Sequence, residues 1–393
     1  MNKTKPRERV LAGLRHEETD RVPLDLGGLN TSMMVETYER LKAFIGKSGL
    51  GTKVRSKTWQ VVDIDEPILE RFQIDTRYLF PNIAPVQKQA QTGGLRGASP
   101  QQEPVEDGFI DEWGVKRKLI MHYFEIAEHP LKEAERLDDL ESYPWPNPHE
   151  FLILNGLRDR ARHLREYTDY ALIGTVGGGN IFEQSWYLRG LSEILMDLMI
   201  NKEFVHALFS KLLEIRKKTI KLYLTEVGEY LDVFQVGDDL ATQNGLMISP
   251  ALYREMIKPY QEELFRFIKE LTQAKLYYHS CGAIIPLIGD LIEIGVDALN
   301  PIQVSAEGMN TADLKSRYGK EICFWGAIDS QGILPFGTTG EVEKEVRKRI
   351  RDLGPGGGYI LAGVHNLQPD IPPENIVCMY DSGAKFGKYP IKC

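Results

Sequence analysis

Two apolar patterns run along this chain, one with helical spacing and one of short unbroken runs, and from residue 150 onward they alternate. A helical pattern over 150–167 precedes a buried run over 170–176, and a second helix over 182–199 carries Leu188, Leu191, Leu195 and Leu198 at spacings of three and four. A helix over 203–227, a strand over 231–236 and a helix opening at Ser249-Pro250 follow, the serine suited to the cap and the proline to the first helical position. The series continues through a strand of 274–278 ending in His279, a helix of 286–294, a strand of 296–300 and a helix of 311–318. It closes with strand 321–325, helix 341–353, strand 358–363 and a last helix from Pro373. These are six strand-then-helix units.

The N-terminal part adds two strand candidates. The pattern predicts a helix over 6–15 with Val10, Leu11 and Leu14 on one side, a strand over 21–26, a loop over 27–31 and a helix over 35–45. Residues 71–78 read as another strand, and 107–115 as hairpin material. Pro144, Pro146 and Pro148, three prolines within five residues, make 141–148 an extended connector. Eight units predict a closed (β/α)8 TIM barrel, α/β in class, as a single domain over 1–393 with an insertion at about 80–148.

In such barrels the chemistry sits in the loops after the strands. The polar clusters Gly177-Gly178-Gly179-Asn180, Asp238-Asp239, His279 with Cys281, Asn300-Pro301, Asp329-Ser330-Gln331 and His365-Asn366-Leu367-Gln368 all fall in those loops. Six loops converging on one mouth point to an enzyme.

Composition narrows the class. With 42% hydrophobic and 26% charged residues, 393 residues can bury a large core. A net charge of -8, without clustered Lys and Arg, argues against nucleic acid as partner. Cys281, Cys323, Cys378 and Cys393 are too widely spaced for a secreted disulfide scaffold. Residues 1–9 lack the apolar centre of a signal peptide, and no apolar run approaches the ~20 residues of a membrane span. The expectation is a cytoplasmic protein with no membrane contact.

His279 and Cys281 carry the strongest chemical signal. Two positions apart at a strand end, an imidazole and a thiol leave the same face, and zinc accepts both. A catalytic zinc takes three protein ligands and keeps one position open, and His365, after another strand, is placed to complete the set. The plainer readings are a core histidine beside a small apolar thiol, and a loop histidine that binds substrate. Asn180 followed by Glu183 resembles a capping box, against which stands a carboxylate reaching over the mouth. Of Asp238 and Asp239 only one can point inward, to orient substrate or a histidine, unless it caps a turn. The triple glycine suits a tight turn better than an anion site. Cys323 and Cys378 read as core. Trp186, Tyr187 and Trp325 read as packing or as the wall of an aromatic site, and Gln243 and Asn366 as substrate contacts.

These residues carry a resemblance. The runs GGGNIFEQSWYLRG (177–190), VGDDLATQNGLMISPALYREMIKPY (236–260), YYHSCGAIIPLI (277–288), FWGAIDSQGILPFGT (324–338) and GPGGGYILAGVHNLQPDIPPENI (354–376) look like the uroporphyrinogen decarboxylase superfamily, from Arg7 to the end of the chain. Two chemistries occur there, metal-free decarboxylation of porphyrinogen acetates and zinc-dependent methyl transfer involving corrinoid proteins. The decarboxylases' R-Q-A-G-R segment is replaced here by Asp25-Leu26-Gly27-Gly28-Leu29, and their F-N-L-G-H-G by His365-Asn366-Leu367-Gln368-Pro369-Asp370. His279-Ser280-Cys281-Gly282 is similar to the H-x-C-G of the zinc methyltransferases, whose third ligand is typically a late cysteine; here His365 stands nearest to that role. The resemblance implies Zn2+ held by His279, Cys281 and His365, with Glu183 or Asp239 protonating or orienting a leaving oxygen. It further implies methyl transfer from a small donor, such as a phenyl methyl ether (an O-demethylation), to the cobalamin of a separate corrinoid protein. A metal-free decarboxylase and a non-catalytic binding barrel are the alternatives, and a homodimer is compatible with each.

Overall fold

Seven short strands, each fully or almost fully buried, pair in parallel to form the centre of the molecule in this computed structural model, which describes residues 4–83 and 108–392. In spatial order they are Thr76–Leu79, Ala171–Thr175, Val233–Gly237, Lys275–His279, Ala298–Asn300, Cys323–Ile328 and Tyr359–Gly363. Parallel strands covered on both faces read as continuous apolar runs, which is why the sequence marks them.

The eighth position belongs to the segment around Leu24. Leu24 bridges Leu361 in parallel; Asp25 N donates to Leu361 O at 2.9 Å and Leu361 N to Pro23 O at 2.9 Å. On the other side Asp75 N donates to Leu24 O at 2.9 Å, beside the Thr76 strand. Pro23 has no N–H to give to a ladder, so this segment closes the barrel without forming a regular strand.

Two clusters divide the apolar interior. Tyr277, Ala298, Cys323, Trp325, Ile360 and Ala362 point into the barrel, and Val10 and Leu14 of the helix Pro6–Leu14 plug its N-terminal end. The larger cluster lies between strands and outer helices. Trp325 packs edge-on against Tyr277 with ring centroids 4.9 Å apart and donates Nε1–H to Asp25 at 2.9 Å. It is an interior residue and not a wall of the mouth. Cys323 is buried as expected, and Cys378 is half-buried in the last helix, Pro373–Phe386.

Several elements depart from the periodic reading. The 71–78 stretch contains the end of a helix, Glu66–Arg71, before its strand, Thr76–Leu79. The predicted 150–167 helix is interrupted, because Leu152–Ile153 pairs with Asn82–Ile83 and Gly156, at φ 75°, precedes the helix Leu157–Tyr167. Gly190, at φ 101°, divides Phe182–Arg189 from Leu191–Ile200. The strand expected over 321–325 runs Cys323–Ile328. Within 80–148, Gly108–Ile110, Lys116–Ile120 and Tyr123–Glu128 form a three-stranded antiparallel sheet. Asp107, with the rest of 84–107, lies outside the described residues. No helix among the described residues is long and apolar enough to cross a membrane.

Candidate metal centre

Alternation along Lys275–His279 sends Tyr277 and His279 into the barrel, and His279 is the last residue before the chain leaves the sheet. Its register partner on the next strand is Asn300. His279 Nδ1 lies 2.6 Å from Asn300 Oδ1, and Asn300 Nδ2 donates to Trp325 O at 3.1 Å. The second bond fixes which end of the amide faces the imidazole. Nδ1 therefore carries the proton and Nε2 presents a free lone pair, the tautomer a metal requires.

Cys281 follows with its Sγ 3.5 Å from that Nε2. A tetrahedral zinc with N at 2.0–2.1 Å and S at 2.3 Å sets these two atoms about 3.6 Å apart. The side-chain spacing is thus already that of a shared ion. Gly282, at φ 88°, is needed next: a Cβ there would sit 2.5 Å from Thr242 O, so only glycine lets the chain pass. Gly237, opposite His279, makes room similarly, since a Cβ would fall 2.9 Å from His279 Cβ.

His365 completes the group from the loop after Tyr359–Gly363. Its ring centroid is 5.6 Å from that of His279 at 61°, and one ligand atom from each of His279, Cys281 and His365 lies within 4.8 Å of the others. Among the described residues nothing hydrogen-bonds the His365 ring. Two neutral imidazoles and a cysteine that ligates as its thiolate are a zinc donor set with one position left open. Burial holds the imidazole of His279 down at about 4, and burial together with His279 does the same for His365, so both are neutral at ordinary pH. Burial and then the Asp239 carboxylate push the Cys281 thiol well up; a bound cation reverses that tendency.

His279 and His365 line a cavity of about 450 Å³ together with Glu183 and Asp239. Asp239 accepts from Cys281 N at 2.8 Å and lies 4.0 Å from His279 Nε2. Glu183 is half-buried, accepts a hydrogen bond from the Tyr187 hydroxyl, and is pushed up to about 8 by burial and by Asp239. Its carboxyl lines the cavity, and burial with the neighbouring carboxylate favours its protonated form.

Its freedom to face inward has a specific cause. The Asn180–Glu183 capping box does not form. Asp238, fully buried, instead accepts from Asn180 N at 3.0 Å, Ile181 N at 3.1 Å and Glu183 N at 3.0 Å, and Gln261 Nε2 donates to its other oxygen at 3.0 Å. Asp238 thus caps the helix Phe182–Arg189 from the end of the neighbouring strand and does not line the cavity, so the substrate contact expected of it gives way to a helix cap.

The remaining candidates separate. Tyr187 lines the cavity; Trp186 does not, and stacks edge-on against Tyr187. Gln243 is exposed outside the cavity, donating to Ser305 O and accepting from Gln303. Asn366 lines the cavity, but its amide is occupied by Ser32 N at 2.8 Å and Leu29 O at 2.7 Å, so it holds the 28–32 loop. In the glycine loop Gly177 and Gly178 take φ 70° and 68°, and the carbonyls of Gly177 and Gly179 accept from the buried Arg216 guanidinium, as a turn requires. The sequence marks Asn300 only as a polar loop residue, and it does not mark Asp111, Glu112, Trp113 and Arg117, which reach the cavity from the inserted sheet. Their charge and aromaticity are visible in the chain, but nothing there places 108–128 over the mouth.

The comparisons with known proteins agree with this architecture. The family model described as Uroporphyrinogen decarboxylase (URO-D) matches residues 124–386. Among curated relatives, the uroporphyrinogen decarboxylase of Alkalilimnicola ehrlichii is 23% identical over a 398-residue alignment, covering 95% of this chain and 93% of that protein. The uroporphyrinogen decarboxylase of Pseudoalteromonas translucida is 24% identical over 283 residues, covering 68% and 75%. Among solved structures, a methyltransferase from Methanosarcina mazei superposes with a TM-score of 0.63 over 98% of this chain and 99% of its own, at 16% identity, a likeness of fold. With the family model matching well over half of its length on a closed parallel barrel, this chain belongs to the uroporphyrinogen decarboxylase (URO-D) family.

Proposed function

We propose that this protein is a zinc-dependent methyltransferase that moves a methyl group from a small methoxy compound to the cobalt of a separate corrinoid protein. The observation that carries the reading is the approach of His279 Nε2 to Cys281 Sγ at 3.5 Å, with His365 alongside and Asn300 fixing the tautomer. A decarboxylase that works without metal has no need of that donor set. The methyltransferase fold neighbour is in keeping with the proposal.

Zinc bound by His279, Cys281 and His365 supplies Lewis acidity toward the donor's ether oxygen. The chain's own groups do the rest. Glu183 holds a proton that the departing oxygen needs, and Tyr187 keeps that carboxyl turned toward the cavity. Asp239, anchored on Cys281 N, steadies the ligand loop. Trp59, Phe80 and Trp113 give the cavity aromatic walls that suit a planar donor and displace water.

The names of the curated relatives favour one second reading, a metal-free decarboxylase. One experiment separates the two. Purified protein is mixed with a cobalt(I) corrinoid protein and phenyl methyl ethers, and the visible spectrum of the cobalt is followed with and without a zinc chelator. Methylation that stops on chelation and returns with zinc is expected. Porphyrinogen decarboxylation by chelated protein, with no methylation under any condition, would establish the decarboxylase.

A further inference from the structure

The inserted antiparallel sheet brings a cation to the cavity that its neighbours leave half used. Arg117 is only 6% exposed, and its Nε donates to Asp111 at 2.9 Å. Its two terminal nitrogens have no hydrogen-bond partner among the described residues, and the side chain is one of those lining the cavity. The guanidinium carbon lies 5.2 Å from the ring of Tyr187, another lining residue, which fixes its direction.

A second cation stands close by. Phe109 and Arg117 are directly opposite in the antiparallel ladder, so their side chains share one face of the sheet. Lys57 Nζ sits 4.6 Å over the Phe109 ring, lines the same cavity, and forms no ion pair among the described residues. The competing anions are accounted for. Asp111 is held by Arg117 Nε and by the amides of Trp113 and Val115 at 3.0 Å. Glu112 is buried beside Asp111, and burial and that neighbour push its carboxyl well above the ordinary range, which disfavours its charged form.

We propose that Arg117 and Lys57 form an anion-binding subsite that receives a carboxylate carried by the substrate, at a place on the cavity wall separate from His279, Cys281 and His365. With Nε taken by Asp111, the edge formed by the two terminal nitrogens matches a carboxylate bidentately, and the flanking aromatic residues suit a benzoate-like body. That the ligand is the methyl donor rests on the reading under Proposed function; the subsite itself rests on the geometry.

The test is binding, followed by tryptophan fluorescence, of 3-methoxybenzoate and of anisole, its counterpart without the carboxylate, to zinc-loaded protein. Wild type is expected to favour the carboxylate by about 10- to 100-fold, the range of a charge-assisted pair of hydrogen bonds. R117Q should erase that preference and leave anisole affinity unchanged. K57Q, which orphans no ion-pair partner, should reduce the preference several-fold even if R117Q fails to fold. Equal binding of the two probes, no binding of either, an unaltered preference in K57Q, or binding of inorganic phosphate without any binding of 3-methoxybenzoate would each overturn the proposal. Methyl transfer to a cobalt(I) corrinoid protein is measured separately. A carboxylate preference without methyl transfer leaves the subsite standing and removes the donor reading.

Discussion

Removing the Asn300 side chain probes the metal centre without touching a ligand. In Asn300→Ala the 2.6 Å hydrogen bond to His279 Nδ1 is lost, the imidazole regains both tautomers and ring rotation, and Trp325 O loses its donor. Outer-shell partners of this kind are worth 10- to 100-fold in metal affinity, or about 1.4 to 2.8 kcal/mol. The assay is competition for zinc against a chromophoric chelator at pH 7, with thermal unfolding run in parallel to confirm that the variant is folded. Asn300 touches neither Cys281 Sγ nor His365, so stoichiometry should stay at one zinc per chain while affinity falls. A folded Asn300→Ala protein that binds zinc within about two-fold of wild type would refute the claim that Asn300 sets the ligand's tautomer.

Three further outcomes follow from the same geometry. Because His279 and His365 are already neutral at pH 7 and Cys281 is protonated, zinc uptake by Glu183→Gln, which removes the proton that carboxyl would yield to the cation, should release about one proton per ion, read calorimetrically in buffers of different ionisation heat; release of two or more would mean a different ligand set. Glu183, whose folded value of about 8 lies above its ordinary 4.5, favours the folded state below 4.5 and progressively loses that contribution as pH rises toward 8. Glu183→Gln should therefore gain stability over metal-free wild type across that window in denaturant titrations, and its methyl transfer should be much reduced without the alkaline limb near 8; parallel stability curves for the two proteins would contradict this. Asp238→Ala leaves the amides of Ile181 and Glu183 without their acceptor, while Asn180 N keeps Gly237 O at 3.1 Å, and should cost about 2 to 4 kcal/mol in chemical denaturation while zinc content is unchanged; a variant of normal stability would remove the capping role.

What the sequence made legible follows from which forces are local. The barrel strands are buried on both faces, so their apolar runs stand out, and the period of two that sends His279 inward also sends Cys281 to the same mouth. The eighth barrel segment and the breaks at Leu152–Ile153 and Gly190 were set by Pro23, by a pairing with distant residues 82–83 and by one positive φ, which apolar periodicity does not record. The capping box failed for a related reason. Asn180 and Glu183 have the right spacing, but a carboxylate 55 residues from Glu183 reaches the same amides first. Asn300 could not be paired with His279 before strand register was known, and Arg117 acquires meaning only when the inserted sheet folds over the mouth.

The central claim is that His279, Cys281 and His365 hold one zinc ion. X-ray absorption at the zinc edge of the purified protein tests it most directly, with Cys281→Ser and His365→Ala beside wild type. The account predicts one sulfur near 2.3 Å with two imidazole nitrogens near 2.0–2.1 Å and an exchangeable oxygen, with the sulfur lost in Cys281→Ser and one imidazole lost in His365→Ala. A wild-type protein that retains no zinc, or whose zinc shows no sulfur among its ligands, would contradict it.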